Sequence, residues 1–154
     1  MNEIRIIPYE DAHASAFDRL NRAWLEEHGL LEEGDLKHLE QPRMSIIDQG
    51  GAIFVALAGD VVVGTCGVVP VAEGVIELVK LAVDESARGR GLGERLSREA
   101  IEWSRAQGAQ KLELVSSSKL RSALRLYERL GFQYGPVPPD TIYETADIYM
   151  SMDF

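Results

Sequence analysis

Three places in this chain combine residue types that can do chemistry. The first runs from Val83 to Leu96 and reads Val-Asp-Glu-Ser-Ala-Arg-Gly-Arg-Gly-Leu-Gly-Glu-Arg-Leu. Gly89, Gly91 and Gly93 permit backbone angles that side-chained residues avoid, and they let a ligand approach the main chain. If a helix starts here, its first turn offers free N–H groups and the positive end of a dipole, so the turn can cradle an anion such as phosphate. Arg88 and Arg90 add positive charge at the rim. The second is Glu77, a carboxylate on an otherwise apolar run. Burying it alone is costly, so it must open on a cleft or find a partner. The third is Tyr127, whose phenol sits on an apolar helical stripe.

The elements that must position these groups follow from hydrophobic periodicity. Ile76 to Val83 reads as a strand, and Leu92, Leu96, Ala100 and Trp103 recur at helical spacing. The glycine turn therefore joins a strand to a helix that runs to about Gln107 and stops at Gly108. Upstream, the pattern predicts a strand over 3–7, a helix over 12–28 capped by Gly29, and a short acidic helical segment over 30–39 ended by Pro42. Ala52 to Ala58, Val61 to Val69 and Val75 to Val83 form an antiparallel meander with turns at Gly59-Asp60 and Glu73-Gly74. Period two puts Glu77, Val79, Leu81 and Val83 on one face, with Leu78, Lys80 and Ala82 on the other. Downstream come a strand over 111–116, a helix over 120–130 closed by Gly131, a short strand at 132–134 and a half-buried strand over 146–154. The expected fold class is α+β, with a mixed sheet and about four helices in one domain over residues 1–154.

Competing readings of the turn are excluded by its residues. A P-loop needs Gly-Lys-Ser/Thr after four spacers, which is absent, and the dinucleotide fingerprint breaks at Glu94. What is present is Arg88-x-x-Gly91-x-Gly93 after a strand. That pattern resembles the acyl-CoA pyrophosphate loop of the GNAT superfamily of N-acyltransferases. Ala123-Leu-Arg-Leu-Tyr127-Glu-Arg-Leu-Gly131-Phe132 resembles a second GNAT segment, the helix whose tyrosine lies near the thioester sulfur. The element order matches GNAT topology from end to end.

The resemblance implies a mostly antiparallel sheet in which acetyl-CoA lies where two parallel strands splay. Backbone groups of Leu81, Ala82 and Val83 would pair with the pantetheine arm, and Arg88, Gly89, Arg90, Gly91, Leu92 and Gly93 would hold the pyrophosphate. It also implies catalytic roles for Glu77 as a base acting through water and for Tyr127 as the acid. Glu77 pairing with a nearby Lys or Arg stays open beside the first, and a core aromatic with a wet tip beside the second. The family often has Asn seven residues before the tyrosine; Leu120 stands there, so an amide contact from that position is missing. Ser117 and Ser118 read as helix caps.

Acyl transfer to an amine sets a clear requirement. A lysine-like amine with pKa ~10.4 is neutral in only about one molecule in 10³ at neutral pH, a penalty of roughly 4 kcal/mol. A phenol near ~10 gives its proton to a thiolate near ~8.5 only uphill, by about 2 kcal/mol, so hydrogen bonding to the developing sulfur charge serves as well as protonation. Cys66 lies in an apolar strand and reads as an inert core thiol, which favours direct attack in a ternary complex.

Composition narrows the partners. Of 154 residues, 45% are hydrophobic and 27% charged, and the net charge of −9 argues against a nucleic-acid surface. One cysteine and three scattered histidines, His13, His28 and His38, give no disulfide and no metal site, and all three histidines read as surface residues. No signal-peptide pattern or membrane-length apolar run is visible, so a cytoplasmic enzyme, monomeric or homodimeric, is the expectation. The acceptor is expected to be a small-molecule or peptide amine, met by the N-terminal helices, Trp24 and the 135–143 segment. The acidic set Glu26, Glu27, Glu32, Glu33 and Asp35 reads first as a solvated face. A catalytically silent acyl-CoA-binding or regulatory module on the same fold is the alternative.

Overall fold

The structure, a computed structural model, describes residues 3–141 and 143–154. Its centre is a seven-stranded sheet in the order β1-β2-β3-β4-β5-β7-β6. The strands are β1 (Ile4–Pro8), β2 (Ala52–Ala58), β3 (Val61–Ala72), β4 (Val75–Val83), β5 (Lys111–Ser116), β6 (Gln133–Gly135) and β7 (Ile148–Asp153). Only β4 and β5 run parallel; every other neighbouring pair is antiparallel. The helices are α1 (Ala14–Glu27), α2 (Leu36–Glu40), α3 (Leu92–Ala106) and α4 (Arg121–Leu130). Among the described residues no helix is long and apolar enough to cross a membrane.

Each face of the sheet buries its own core, which is why β3 and β4 are apolar on both sides. On one face Leu92, Leu96 and Ala100 of α3 and Tyr127 of α4 pack on Val68, Ile76, Leu78 and Leu112. On the other, Phe17 and Leu20 of α1 and Ile46 pack on Val55, Val62, Val79 and Ala82. Ile46 belongs to a π-helical turn, Arg43–Ile47, that the sequence pattern does not signal.

Two expectations need correction. His38 is not a surface residue: it is 5% exposed, and its Nδ1 lies 2.8 Å from the Ser45 hydroxyl. The alternation along β4 also breaks. Between the pairs Thr65↔Ala82 and Gly67↔Val79, β3 supplies one residue and β4 supplies two, Lys80 and Leu81. This is a β-bulge, and Lys80 occupies the left-handed region with φ 52°. The extra residue shifts the phase. Glu77 and Val79 do not share a face with Leu81 and Val83; Val79 and Ala82 pack toward α1, while Leu81 and Val83 pack toward α3 and α4.

The α1 core should be sensitive to loss of volume. Phe17 is fully buried, so Phe17→Ala is expected to cost about 3–5 kcal/mol in urea unfolding. Val61→Ala, at a position 61% exposed, should change stability by less than about 0.5 kcal/mol.

Candidate active site

The parallel pairing of β4 with β5 covers only Val75 to Glu77 against Lys111 to Glu113. Beyond Glu77 the strands splay, and Leu114 to Ser116 pair with β7 alone. The opening is a gap of about 130 Å³ walled by Leu78 to Leu81, Leu114 to Ser117 and Tyr127, with Asn21, Trp24, Asp35 and Tyr143 on the α1 side. Toward α3 and α4 a larger cleft of about 690 Å³ follows, bordered by Leu81 to Val83, the loop Arg88 to Gly93 and one side of α4. Tyr127 lines both spaces.

The loop has the geometry that anion binding asks for. Gly89 and Gly91 have φ of 79° and 74°, and a Cβ added to either would meet nothing within 4 Å. These glycines are needed for backbone conformation and for open space in front of the main chain, not for internal packing. Gly91 caps α3, so the helix's first N–H groups end at the cleft. Arg88 is otherwise engaged: its guanidinium donates to both Glu27 oxygens at 3.1 and 2.9 Å and lies over the Trp24 ring, while its Nε donates to the Val83 carbonyl at 3.1 Å. It therefore ties α1 to the loop. Arg90 reaches the Ser86 carbonyl at 3.4 Å. Further positive charge comes from Lys119, Arg121, Arg125 and Arg129 on the opposite wall. The spacing of four along α4 was visible in the sequence and marks one helix face.

On the α1 side the bulge is held by a buried chain of hydrogen bonds. The Thr65 hydroxyl donates to the Lys80 carbonyl at 2.9 Å, and Asn21 Nδ2 donates to the Thr65 oxygen at 2.9 Å and to the Phe17 carbonyl at 3.0 Å. The Lys80 ammonium meets Asp35 at 2.5 Å, with both side chains almost wholly buried, and lies 5.3 Å from the Tyr143 ring centre. Glu32 accepts from the backbone N–H groups of Glu144 and Thr145 at 2.7 and 2.8 Å and from the Thr145 hydroxyl, strapping the C-terminal loop to the segment before α2. So Asp35 is a buried tie and Glu32 a half-buried one, neither part of a solvated face, while Glu27 makes its tie from an exposed position. Within the 135–143 segment, Ile142 lies outside the described residues.

Glu77 stands apart from Tyr127. It lines a third cavity, of about 590 Å³, together with His38, Ser45, Met44 and Val69. Burial, reinforced by Glu113 beside it on β5, pushes its carboxyl up to about 7, with Lys80 and Lys37 opposing. Burial also pushes the Tyr127 phenol well above its usual range, helped by Cys66, and pushes up the Cys66 thiol itself. Tyr143 is raised too, first by burial and then by Asp35, Glu77 and Glu32, so Glu77 lies within electrostatic reach of the gap's wall. Ser117 and Ser118 do not cap α4. Ser117 Oγ accepts from Lys119 N–H at 3.2 Å, and Ser118 donates to the Asp147 carboxylate from both its N–H and its hydroxyl.

Comparison with known proteins agrees with this geometry. Residues 10–132 match the acetyltransferase (GNAT) family, and the chain belongs to that family, whose acetyl donor is acetyl-CoA. It is 30% identical over 109 residues to an uncharacterized N-acetyltransferase of Bacillus subtilis, YvbK, a match covering 69% of this chain and 70% of that one. It is 36% identical over 91 residues to rat N-acetyltransferase 8B, covering 56% of this chain and only 41% of the rat protein. Among solved structures, a GNAT acetyltransferase of Staphylococcus aureus superposes with a TM-score of 0.90 at 20% identity, over 98% of this chain and 99% of the other. The PaiA N-acetyltransferase of Thermoplasma acidophilum, solved with coenzyme A, gives 0.78 at 15% identity over 99% of each chain.

Titration in the third cavity sets how stability responds to pH. The folded carboxyl of Glu77 titrates near 7 against 4.5 for the free group, so its contribution to stability is complete below 4.5 and is lost as pH rises through 7. His38 does the reverse. Burial, with Lys80 and Lys37, lowers it from 6.5 to about 4, so its contribution is complete above 6.5 and is lost as pH falls through 4. Between these limits the two slopes oppose each other in the wild type. Relative to wild type, Glu77→Gln should gain up to about 3 kcal/mol between pH ~4.5 and pH ~8 in urea unfolding. A difference that stays constant with pH would contradict the raised carboxyl.

Proposed function

We propose that this protein is an N-acetyltransferase that moves the acetyl group of acetyl-CoA directly to an amine within a ternary complex. The observation that carries this reading is the joining of two spaces at one phenol. The glycine loop and helix N-terminus border a cleft that meets the strand gap at Tyr127. In the proposed complex the backbone N–H groups from Arg88 to Gly93 hold the pyrophosphate, and the exposed Arg121, Arg125 and Arg129 neutralise further phosphate charge. The edge of β4 from Leu81 to Val83 that no longer pairs with β5 takes the pantetheine arm as an added strand.

The amine nitrogen attacks the thioester carbon, the C–S bond breaks, and its electron pair goes to sulfur. The raised phenol of Tyr127 makes it a weak acid. Its role is to donate a hydrogen bond to the developing thiolate, which takes its final proton from solvent. Glu77, with a carboxyl near 7, receives the amine's proton through water, close to the pKa that suits a base at neutral pH. Cys66 is buried and its thiol is pushed up, which disfavours an acyl-enzyme. The opening of Glu77 into a different cavity from Tyr127 is what favours a second reading, an acyl-CoA-binding module without turnover.

Thiol release from acetyl-CoA across a panel of amines, with mass analysis of the product, decides between them. Acetylated product is expected; tight binding of acetyl-CoA without product from any amine selects the second reading. Tyr127→Phe should lower kcat by about one to two orders of magnitude and leave the acetyl-CoA Kd within about threefold. Gly91→Val should raise that Kd by about tenfold or more, because a β-branched residue is strained at positive φ and its side chain enters the cleft. Undiminished affinity in a folded Gly91→Val protein would remove the loop from the donor site.

A further inference from the structure

Asn21 is 1% exposed and belongs to the lining of the strand gap. The hydrogen-bond network fixes which way its amide faces. The carbonyl of Lys80 can only accept, so the Thr65 hydroxyl bonded to it must donate. The Thr65 oxygen then accepts, so the group of Asn21 facing it is the NH₂. The carbonyl of Phe17 demands the same nitrogen. Both N–H bonds of the amide are thereby used, and Oδ1 is the atom left over. Among the described residues no donor reaches Oδ1. The side-chain polar atom that is wholly buried without a partner is Ser97 Oγ, so Oδ1 must keep its small exposure, and the space the residue lines is the gap.

A buried asparagine whose nitrogen is consumed by the fold and whose oxygen is held, partnerless, at a reaction cavity is a prepared acceptor for one N–H. Of the charged groups on the α1 side, Asp35 and Lys80 neutralise each other. We propose that Asn21 Oδ1 accepts a hydrogen bond from the incoming amine and so orients its lone pair. The gap of about 130 Å³, with Trp24, Leu25 and Leu30 in its wall, then suits an unhindered primary amine. This rests on the acetyltransferase reading above.

The test uses propylamine as acceptor with saturating acetyl-CoA, and separates the oxygen from the network. Asn21→Leu removes both; Asn21→Asp keeps an oxygen and removes the N–H donors. Both variants should lose stability, but only Asn21→Leu should raise the KM for propylamine, by about tenfold, with the acetyl-CoA Kd from calorimetry unchanged. An equal rise in KM in both variants would assign the effect to the network and overturn the proposal, as would an unchanged KM in Asn21→Leu. Should Asn21→Asp not fold, Thr65→Val replaces it: it breaks the same network, leaves Oδ1, and should lower Tm and kcat while holding the amine KM within about threefold. Wild-type protein that acetylates other amines but not propylamine would overturn the proposal alone. Wild-type protein that acetylates no amine would overturn the reading beneath it as well.

Discussion

The Thr65 hydroxyl donates to the Lys80 carbonyl, and this bond holds one extra residue in β4 against the pull of regular pairing. A non-glycine residue in the left-handed region costs about 1–2 kcal/mol, and Lys80 carries that cost with φ 52°. The hydrogen bonds from Thr65 and Asn21 offset it. Much follows from the single insertion. With regular alternation Lys80 would point into the apolar core under α3 and α4, where an ammonium has no partner. Instead it faces the α1–α2 side, while Leu81 and Val83 turn toward the α3–α4 side, beside the cleft. The bulge therefore divides β4 into a segment that pairs with β5 and a segment that borders the opening.

Charge is sorted along the same division. The chain is acidic overall at −9, yet the large cleft collects Arg88, Lys119, Arg121, Arg125 and Arg129 against Glu94. Such a cleft focuses positive potential on an anion while the rest of the surface repels it. Three carboxylates of the α1–α2 region are drawn into ties: Glu27 to the loop arginine, Asp35 to β4, Glu32 to the segment before β7. These are charge-assisted bonds between elements distant in sequence, so the position of the α1–α2 connection depends on polar contacts as much as on apolar burial. A buried pair such as Asp35 with Lys80 adds little net stability over a well-packed apolar pair. What it does provide is orientation, since removing either partner strands the other.

The parts of this design legible in the sequence are those with a local signal. Long periodic runs marked α1, α3 and α4 within a residue or two, and the meander except that β3 extends three residues further, to Ala72, because one-sided burial imposes a period. The glycine loop was legible because its backbone needs glycine at Gly89 and Gly91. The bulge was not, because a lysine holds the left-handed position and no glycine marks it; the groups that hold it come from β3, α1 and the segment before α2. For the same reason regular alternation places Leu81 and Val83 on the opposite face from the one they occupy. The acidic ties carry no local signal because their partners lie on other elements, and a sequence window cannot contain both ends of such a contact; His38 stands on a helix of five residues, too short for periodicity to show its buried face. Leu120, where the family often has asparagine, was legible as a departure, yet the amide that does face the gap comes from α1.

In the proposed reaction, protons leave and arrive on opposite sides of the sheet. Glu77 opens into the cavity beside α2, whereas Tyr127 comes from α4. The groups that shift Glu77 are burial, Glu113, Lys80 and Lys37; those that shift Tyr127 are burial and Cys66. Neither contributes to the other's shift, so the two titrate as separate sites and not as a coupled pair. The phenol, pushed upward, stays protonated through the neutral range, while the carboxylate changes state near 7. Separation by the sheet thus lets one group remain a hydrogen-bond donor to sulfur while the other cycles as proton acceptor. The gap between β4 and β5 is where an amine on one side can reach a thioester on the other.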